Sequence, residues 1–400
     1  MIHSKFCRPR IFPWNNNLSS YQIDRVQDIG GDLTLNREKQ FEVGRDGLLG
    51  YKKGTPSFSY SMKQFEYGSM NFWRKLANLE DPASASLDNS VDLEDLKSSK
   101  SDVSAYLTDD DNTFRGTIWF PKLRVNGFSI NIGDPDAIIQ RSLDLIGEDY
   151  KMLDGKYFRI QLSTSGVGNR VVTLSPAAVE WASGEYVFRV LRVRSGIVSE
   201  LVKGTGTDQW SYATGDVTVR DCLSGDIVKI YYPSSTGYTV WTDNDADPDF
   251  LTADSADVYM KVGTGQKVYK LQSIDVNVKL DRTDYKEIGN TEIVQTGVKS
   301  KTVTVALNRF AEDFTLEKIF AGDTTYPFVD PRNFSENIQM MIKIYTDNTK
   351  TVFKMGYLIN KLSPISLAAS QAVEDYQKKD NSLESDNLLM SDDETEIAFS

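Results

Sequence analysis

Apolar and polar residues alternate along two distant stretches of this chain, and the two stretches match. In the first, Ile29, Leu33 and Leu35 share one face while Asp28, Asp32, Thr34 and Asn36 share the other. Phe58, Tyr60 and Met62 then alternate with Ser57, Ser59 and Ser61. In the second, Ile274, Val276, Val278 and Leu280 oppose Ser273, Asp275, Asn277 and Lys279, and Val303, Val305 and Leu307 oppose Thr302 and Thr304. Alternation with period two predicts strands that have one buried and one wet face. A short helix is expected after each pair of strands. Ser69 opens the first before Met70, Phe72, Trp73 and Leu76, and Asp313 opens the second before Phe314, Leu316, Ile319 and Phe320.

The two stretches superpose without a gap at a constant offset of 245 positions. Gln27 meets Gln272, Ile29 meets Ile274, Leu35 meets Leu280, Arg37 meets Arg282, Glu42 meets Glu287, Gly44 meets Gly289 and Phe65 meets Phe310. A match that stays in register this long marks an internal duplication. It resumes at an offset of 229, where Asn126-Gly127-Phe128-Ser129-Ile130-Asn131 resembles Met355-Gly356-Tyr357-Leu358-Ile359-Asn360. That change of offset places sixteen extra residues in the first copy, between Leu79 and Arg115. Farther on, Ile139, Leu143 and Leu145 alternate with Gln140, Ser142 and Asp144, which predicts a strand within 136–153.

Four hundred residues exceed what one core organises, so several modules are expected. The fold class read from these patterns is mainly β: two tandem β-sandwich domains, each with one short helix, plus a central β-rich module. The expected boundaries are an N-terminal arm over 1–20, a first domain over 21–153 with an acidic insert at 80–112, a central module and acidic linker over 154–263, a second domain over 264–390, and an acidic tail over 391–400. The central module shows short strand patterns at Phe158–Leu162, Tyr186–Leu191, Val217–Val219 and Ile227–Tyr232, separated by turn-rich pieces such as Ser165-Gly166-Val167-Gly168.

Charge narrows the function. A net charge of −12 argues against a protein that grips nucleic acid, because grip comes from lysine and arginine on phosphates. The acids gather in 80–112 and in the last twenty residues, both read as solvated, mobile segments. No apolar run has the length of a membrane helix, and the basic residues Lys5, Arg8 and Arg10 precede no apolar signal core, so synthesis in a cytosol without a secretion signal is expected.

Chemistry is nearly absent from the pattern. His3 is the only histidine, which excludes a histidine triad or a histidine-based metal site. Cys7 and Cys222 imply no disulfide framework. Asp243-Asn244-Asp245-Ala246-Asp247 resembles the start of a calcium loop but lacks the turn glycine and the bidentate glutamate, and it reads as linker. No cofactor and no enzymatic activity are expected.

One resemblance does emerge. Val268 to Val278, then Asp281-Arg282, then Glu287-Ile288-Gly289, followed by an alternating strand and an aromatic-rich helix, resembles the tube domain of tailed-phage tail tube proteins, a family that includes the inner tubes of contractile injection systems. The resemblance occurs once per repeat and leaves out the central module and both termini. It implies tandem tail-tube-type β-sandwiches whose inner sheets join around a ring. With two domains per chain it implies a homotrimer of pseudo-sixfold symmetry that stacks into a virion tail tube, the repeating subunit or a specialised end ring. Its partners would be further copies of itself, the tape measure, the terminator and the baseplate or tip, with genomic DNA passing through unbound and no membrane involved. On this reading Asp28, Asp32, Thr34, Ser57, Ser59, Ser61, Asp275, Asn277, Thr302 and Thr304 face the lumen. Arg45, Leu48, Leu49, Tyr51, Thr291, Ile293 and Val294 make the ring-to-ring contact, and the insert at 80–112 is an outward loop that assembly does not need. The alternative is a β-rich adhesion module for a glycan or receptor, in which Trp210, Tyr212, Tyr238 and Trp241 stack on sugars.

Overall fold

A computed structural model describes residues 8–15, 20–40, 50–53, 56–68, 70–79, 90–109, 111, 113–134, 136–147, 149–238, 251–261, 266–268, 271–285, 295–310, 314–321, 330–370 and 378–399. The protein is mainly β, as the alternation predicts. Repeat one comprises β1 (Arg8–Pro13), β2 (Tyr21–Gln22), β3 (Val26–Thr34), β4 (Arg37–Gln40), β5 (Gly50–Lys53), β6 (Ser57–Phe65), α1 (Met70–Leu76), β7 (Val91–Asp92), α2 (Leu93–Ser98), β8 (Ser101–Thr108), β9 (Phe114–Ile132), β10 (Gln140–Gly147) and β11 (Lys151–Asp154). A central module follows with β12 (Tyr157–Ser163), β13 (Gly168–Thr173), β14 (Arg189–Arg194), β15 (Ile197–Lys203), β16 (Gln209–Ala213), β17 (Asp216–Cys222) and β18 (Ile227–Ser234). Repeat two comprises β19 (Ala256–Lys261), β20 (Gln266–Lys267), β21 (Leu271–Tyr285), β22 (Gln295–Phe310), α3 (Thr315–Phe320), β23 (Ile338–Tyr345), β24 (Phe353–Ser370), β25 (Lys378–Ser385) and β26 (Leu389–Ser391).

Each repeat is a sandwich of an inner and an outer sheet. The inner order is β3-β6-β10-β9 in repeat one and β21-β22-β25-β24 in repeat two, all antiparallel. The outer order is β2-β1-β8-β9-β11 in the first and β20-β19-β23-β24-β26 in the second. One long strand per repeat serves both layers. β9 leaves the outer sheet and enters the inner one at Lys122, and β24 does the same at Lys361; both lysines take the left-handed conformation, φ 57° and 55°. A side chain pays a steric cost there, so such residues mark places where the path of the chain demands the turn.

The duplication runs deeper than the sequence match indicates, and it corrects the second offset. Over β9 and β24 the offset is 239, with Phe114 matching Phe353 and Lys122 matching Lys361; the alignment of Asn126 with Met355 at 229 is out of register. Bulges coincide too, between Ser101 and Val103 in β8 and between Ile338 and Met340 in β23. Repeat one therefore carries six residues more than repeat two over this span, not sixteen.

Three segments expected to be an arm, an outward loop within the first domain and a tail contribute to the sandwiches. Arg8–Pro13, expected within an arm, is the first outer strand and the counterpart of β19. The described part of the segment 80–112 is not the outward loop expected there. Of its described part, α2 is capped by Asp92, whose side chain accepts from the backbone of Glu94 and Asp95, and β8 is almost wholly buried between β1 and β9. Loss of that segment would remove a central strand. The tail folds back as well: Ile397 is buried against Met341 and Leu358, and Asp392 pairs with Arg74 at 2.6 Å. Acidic composition misled in both places because buried apolar residues, Leu93, Leu96 and Val103 in one and Ile397 in the other, stand among the acids. Most of the run 243–257 lies outside the described residues, but Ala256 and Asp257 begin β19.

The central module is a single seven-stranded sheet, β12-β18-β14-β15-β16-β17-β13, in which only β15 and β16 run parallel. It is fastened to repeat one by an aromatic cluster of Phe12, Trp14 and Trp119 against Phe158, Leu191 and Tyr231. At its centre the Asp102 carboxylate accepts from Trp14 Nε1 at 2.8 Å, Trp119 Nε1 at 2.9 Å, the Lys122 backbone at 3.0 Å and the Arg189 guanidinium. Burial works most strongly against the Arg189 charge, but Asp102 together with Tyr231 and Glu200 outweighs it and leaves the guanidinium pKa raised. Removing one partner of a buried pair strands the other. Asp102→Ala is thus expected to lower stability by about 3–5 kcal/mol, measured by denaturant unfolding, whereas Asp216→Ala on a half-buried strand end changes it by less than about 1 kcal/mol.

Candidate functional site

The two inner sheets are one sheet. β9 of repeat one pairs with β21 of repeat two from Ile132 opposite Ile274 to Gly127 opposite Lys279. Eight antiparallel strands, β3-β6-β10-β9-β21-β22-β25-β24, therefore run uninterrupted across both repeats. Side chains alternate between faces along each strand, so matched registers give every strand the same polar side. The apolar side is buried, with Phe58, Met62, Ile130, Leu143, Val276 and Val303 in one cluster that spans both repeats.

The structure brings all ten residues expected to face a lumen onto the opposite, polar side. Asp32 lies opposite Ser59, Thr34 opposite Ser57, and Asp28 opposite Lys63. Ser61 lies between Gly30 on β3 and Asp144 on β10. Asp275 lies opposite Asn131, which donates to it across the junction. Asn277 lies between Ser129 and Thr304, and Thr302 is opposite Lys279. Asp28, Asp32, Thr34, the three serines and Asn277 are exposed; Asp275, Thr302 and Thr304 are half-buried.

Sequence reasoning missed the middle and far strands of this face. Ser129 and Asn131 on β9, Ser142 and Asp144 on β10, and Asp380, Ser382 and Glu384 on β25 complete it. The alternation around Gln140, Ser142 and Asp144 was the available signal for β10. For β25 the misaligned offset hid it. Among the described residues, Asp28, Asp32, Asp144, Asp275, Asp380 and Glu384 stand against Lys63, Lys279 and, at the end of β9, the largely buried Arg124. Lys279 is itself paired with Asp281 at 2.8 Å, and that contact, with a hydrogen bond from Ser300, holds the Asp281 carboxyl below its usual range. Burial alone pushes the Asp144 carboxyl up. The face is acidic, rich in short hydroxyls and poor in cations.

Of the residues expected to join ring to ring, Tyr51 is exposed on the β4–β5 hairpin; Arg45, Leu48, Leu49, Thr291, Ile293 and Val294 lie outside the described residues. In repeat two the corresponding hairpin is drawn out by β21 and β22, paired to Tyr285 opposite Gln295. Among the aromatics considered for sugar stacking, Trp210 is a core residue that donates to the Leu201 carbonyl, and the Tyr238 hydroxyl accepts from the Ile160 backbone. Tyr212 stacks on Tyr186, and Trp241 lies outside the described residues. Among the described residues no group of three or more His, Cys, Asp or Glu side chains is placed to hold a metal, and no helix is long and apolar enough to cross a membrane.

Both ends of the eight-stranded sheet are open among the described residues. β3 pairs only with β6, and the inner half of β24 only with β25. Equivalent positions consequently differ in burial: Leu280 is fully buried at the β21 junction, while Leu35 is 52% exposed at the β3 edge. Leu280→Asp should unfold the chain or cost more than about 4 kcal/mol, and Leu35→Asp should shift the stability of the isolated chain by about 0.5 kcal/mol or less, as read from thermal melts at concentrations where the protein is monomeric. Comparison with protein-family models and with curated protein sequences found no match for this chain.

Proposed function

We propose that this protein is a tail-tube-type structural subunit: three chains form a ring, each supplying two sandwich repeats, and rings stack into a conduit for DNA. The observation that carries the reading is the single sheet shared by both repeats, polar on one side from edge to edge and open at both ends. An open edge invites another strand, and proteins that keep long edges bare in isolation normally cover them in an assembly. Because the two edges belong to different repeats, edge-to-edge contact between copies is head-to-tail, the kind that closes a ring or propagates.

The polar face suits a conduit for a polyanion. Duplex DNA carries roughly one negative charge per 1.7 Å of axis, and each phosphate neutralised by a protein cation adds affinity. A wall of hydroxyls and carboxylates holds the duplex off, and the repulsion acts over about 8 Å at physiological salt. The central module, attached through the outer-layer strands β1, β8 and β9, would decorate the outside. The adhesion reading has less support, since Trp210 and Tyr238 are engaged within the module.

Electron microscopy of the purified protein tests the proposal. Rings of three chains with six similar lobes, alone or stacked, are expected; dispersed monomers at high concentration or rings of six chains would reject it. A second measurement tests the face: tubes of the Asp28→Lys, Asp32→Lys, Asp275→Lys variant should form normally and retain duplex DNA at low salt, with release as salt rises, whereas wild-type tubes should not retain it.

A further inference from the structure

Repeat one is built like repeat two along its leading edge, yet it lies open there. Between β3 and the outer sheet of repeat one runs a groove of about 990 Å³, lined among others by Ile29, Leu33, Leu35, Ile118 and Met152. Met152 is 70% exposed, whereas its counterpart in repeat two, Met390, is fully buried. What covers repeat two at this place is repeat one. β9 pairs with β21, Val91 of β7 pairs with Met390, and Arg282 closes the junction. Arg282 Nε donates to the Val125 carbonyl at 2.6 Å, and its Nη1 donates to the Lys97 carbonyl at the end of α2 at 3.1 Å.

Every partner in that junction has a counterpart at the opposite end of the molecule. Arg37, exposed on β4, is the counterpart of Arg282. The counterpart of Val125 is Pro364 on the open edge of β24, since both follow the same bulged register against β10 and β25. The helix cap Asp92 is matched by Asp330, which caps the 3-10 turn Pro331–Asn333 by accepting from the Arg332 backbone at 3.0 Å.

We propose that the groove of repeat one is the seat for repeat two of a second copy of this chain, docked as repeat one docks on repeat two within the chain, with Arg37 donating to the Pro364 carbonyl of that copy. This deepens the ring reading above and rests on it. The internal register, Phe128 opposite Val278 and Ser129 opposite Asn277, then sets Leu367 opposite Leu33 and Ala368 opposite Asp32 between copies. Two edges that never meet within the chain thus agree in alternation, apolar toward the groove and small or polar toward the polar face. Leu367 and Ile365 are exposed in the single chain, at 38% and 56%. The turn Asp330–Phe334 of the second copy, which stands where β7 and α2 stand internally, covers the exposed end of the groove at Met152. Strand addition of this kind takes its affinity from the backbone ladder and its register from alternate side chains.

The test is a cysteine pair at the proposed contact, Asp32→Cys with Ala368→Cys in a Cys7→Ser background, oxidised in assembled protein and run without reductant. Ser129→Cys with Asn277→Cys is the control, forming the same link within one chain. Covalent species that reach three chains and grow no further are expected. Rings that form without the inter-chain link would overturn this docking and leave the ring reading standing; protein that stays monomeric overturns both. Arg37→Ala should melt like the wild type yet need about tenfold more protein to assemble, as loss of a charged hydrogen bond implies. Assembly at the wild-type concentration would remove Arg37 from the contact.

Discussion

The ladder between β9 and β21 is the constraint on which the rest depends. Without it the two sandwiches would be held by the short β7–β26 pairing and by side chains such as Arg282 and Arg74, and each inner sheet would have two bare edges. With it, six paired positions from Gly127 opposite Lys279 to Ile132 opposite Ile274 fuse the inner sheets, and one hydrophobic cluster runs through both repeats. The ladder also fixes which way each strand faces. Because the period is two, a single register defines a continuous polar side and a continuous apolar side over eight strands. The acidic, hydroxyl-rich face is a consequence of that registration rather than of any one residue.

Buried ions reinforce the same geometry. Under α1, Arg141 donates to Glu66 at 3.0 Å and to Gln64 at 2.9 Å, with both members of the ion pair almost inaccessible. Glu66 also accepts from the backbone of Tyr67 and Gly68. At the equivalent place beneath α3, Glu317 pairs with Arg309 and with Lys379, each at 2.7 Å. Such groups are costly to bury and add little net stability, but they are satisfied in one packing only. In repeat two, where Glu317 belongs to α3, a helix shifted by one turn would strand that carboxylate in the core. In repeat one the pair lies outside the helix, and the Arg141 guanidinium meets α1 through the Phe72 ring, 4.3 Å from its centroid.

How much of this could be read from the sequence differed by element. The first half of each repeat was legible, because β3, β6, β21 and β22 alternate cleanly and the offset of 245 is unbroken. The second half was not. β9 and β24 cross between layers, so their alternation changes phase at Lys122 and Lys361, and Asn126-Gly127 happened to match Met355-Gly356 at the wrong offset. Acidic composition hid β8, α2 and the closing turn of the chain, since charge reports exposure of some residues and says nothing of the apolar neighbours between them. Of the polar face, the strands that alternate plainly were found, and β25 was lost with the misalignment. The open edges were invisible in the sequence. Leu35 and Leu280 are the same residue type in the same pattern, and only the three-dimensional pairing tells which of the two has a neighbour.

The double membership of β9 and β24 has a consequence for error. In most sandwiches a strand that slips by one residue during folding spoils one sheet, and the other can still form. Here the nineteen residues of β9 and the eighteen of β24 are each zipped into both layers. A slip on the inner side would drag the outer half past its partners and turn Phe120, Leu123 and Phe128 outward together. Each long strand therefore checks one sheet against the other, and a misregistered intermediate is penalised twice before the edges of the molecule are ever offered to another copy.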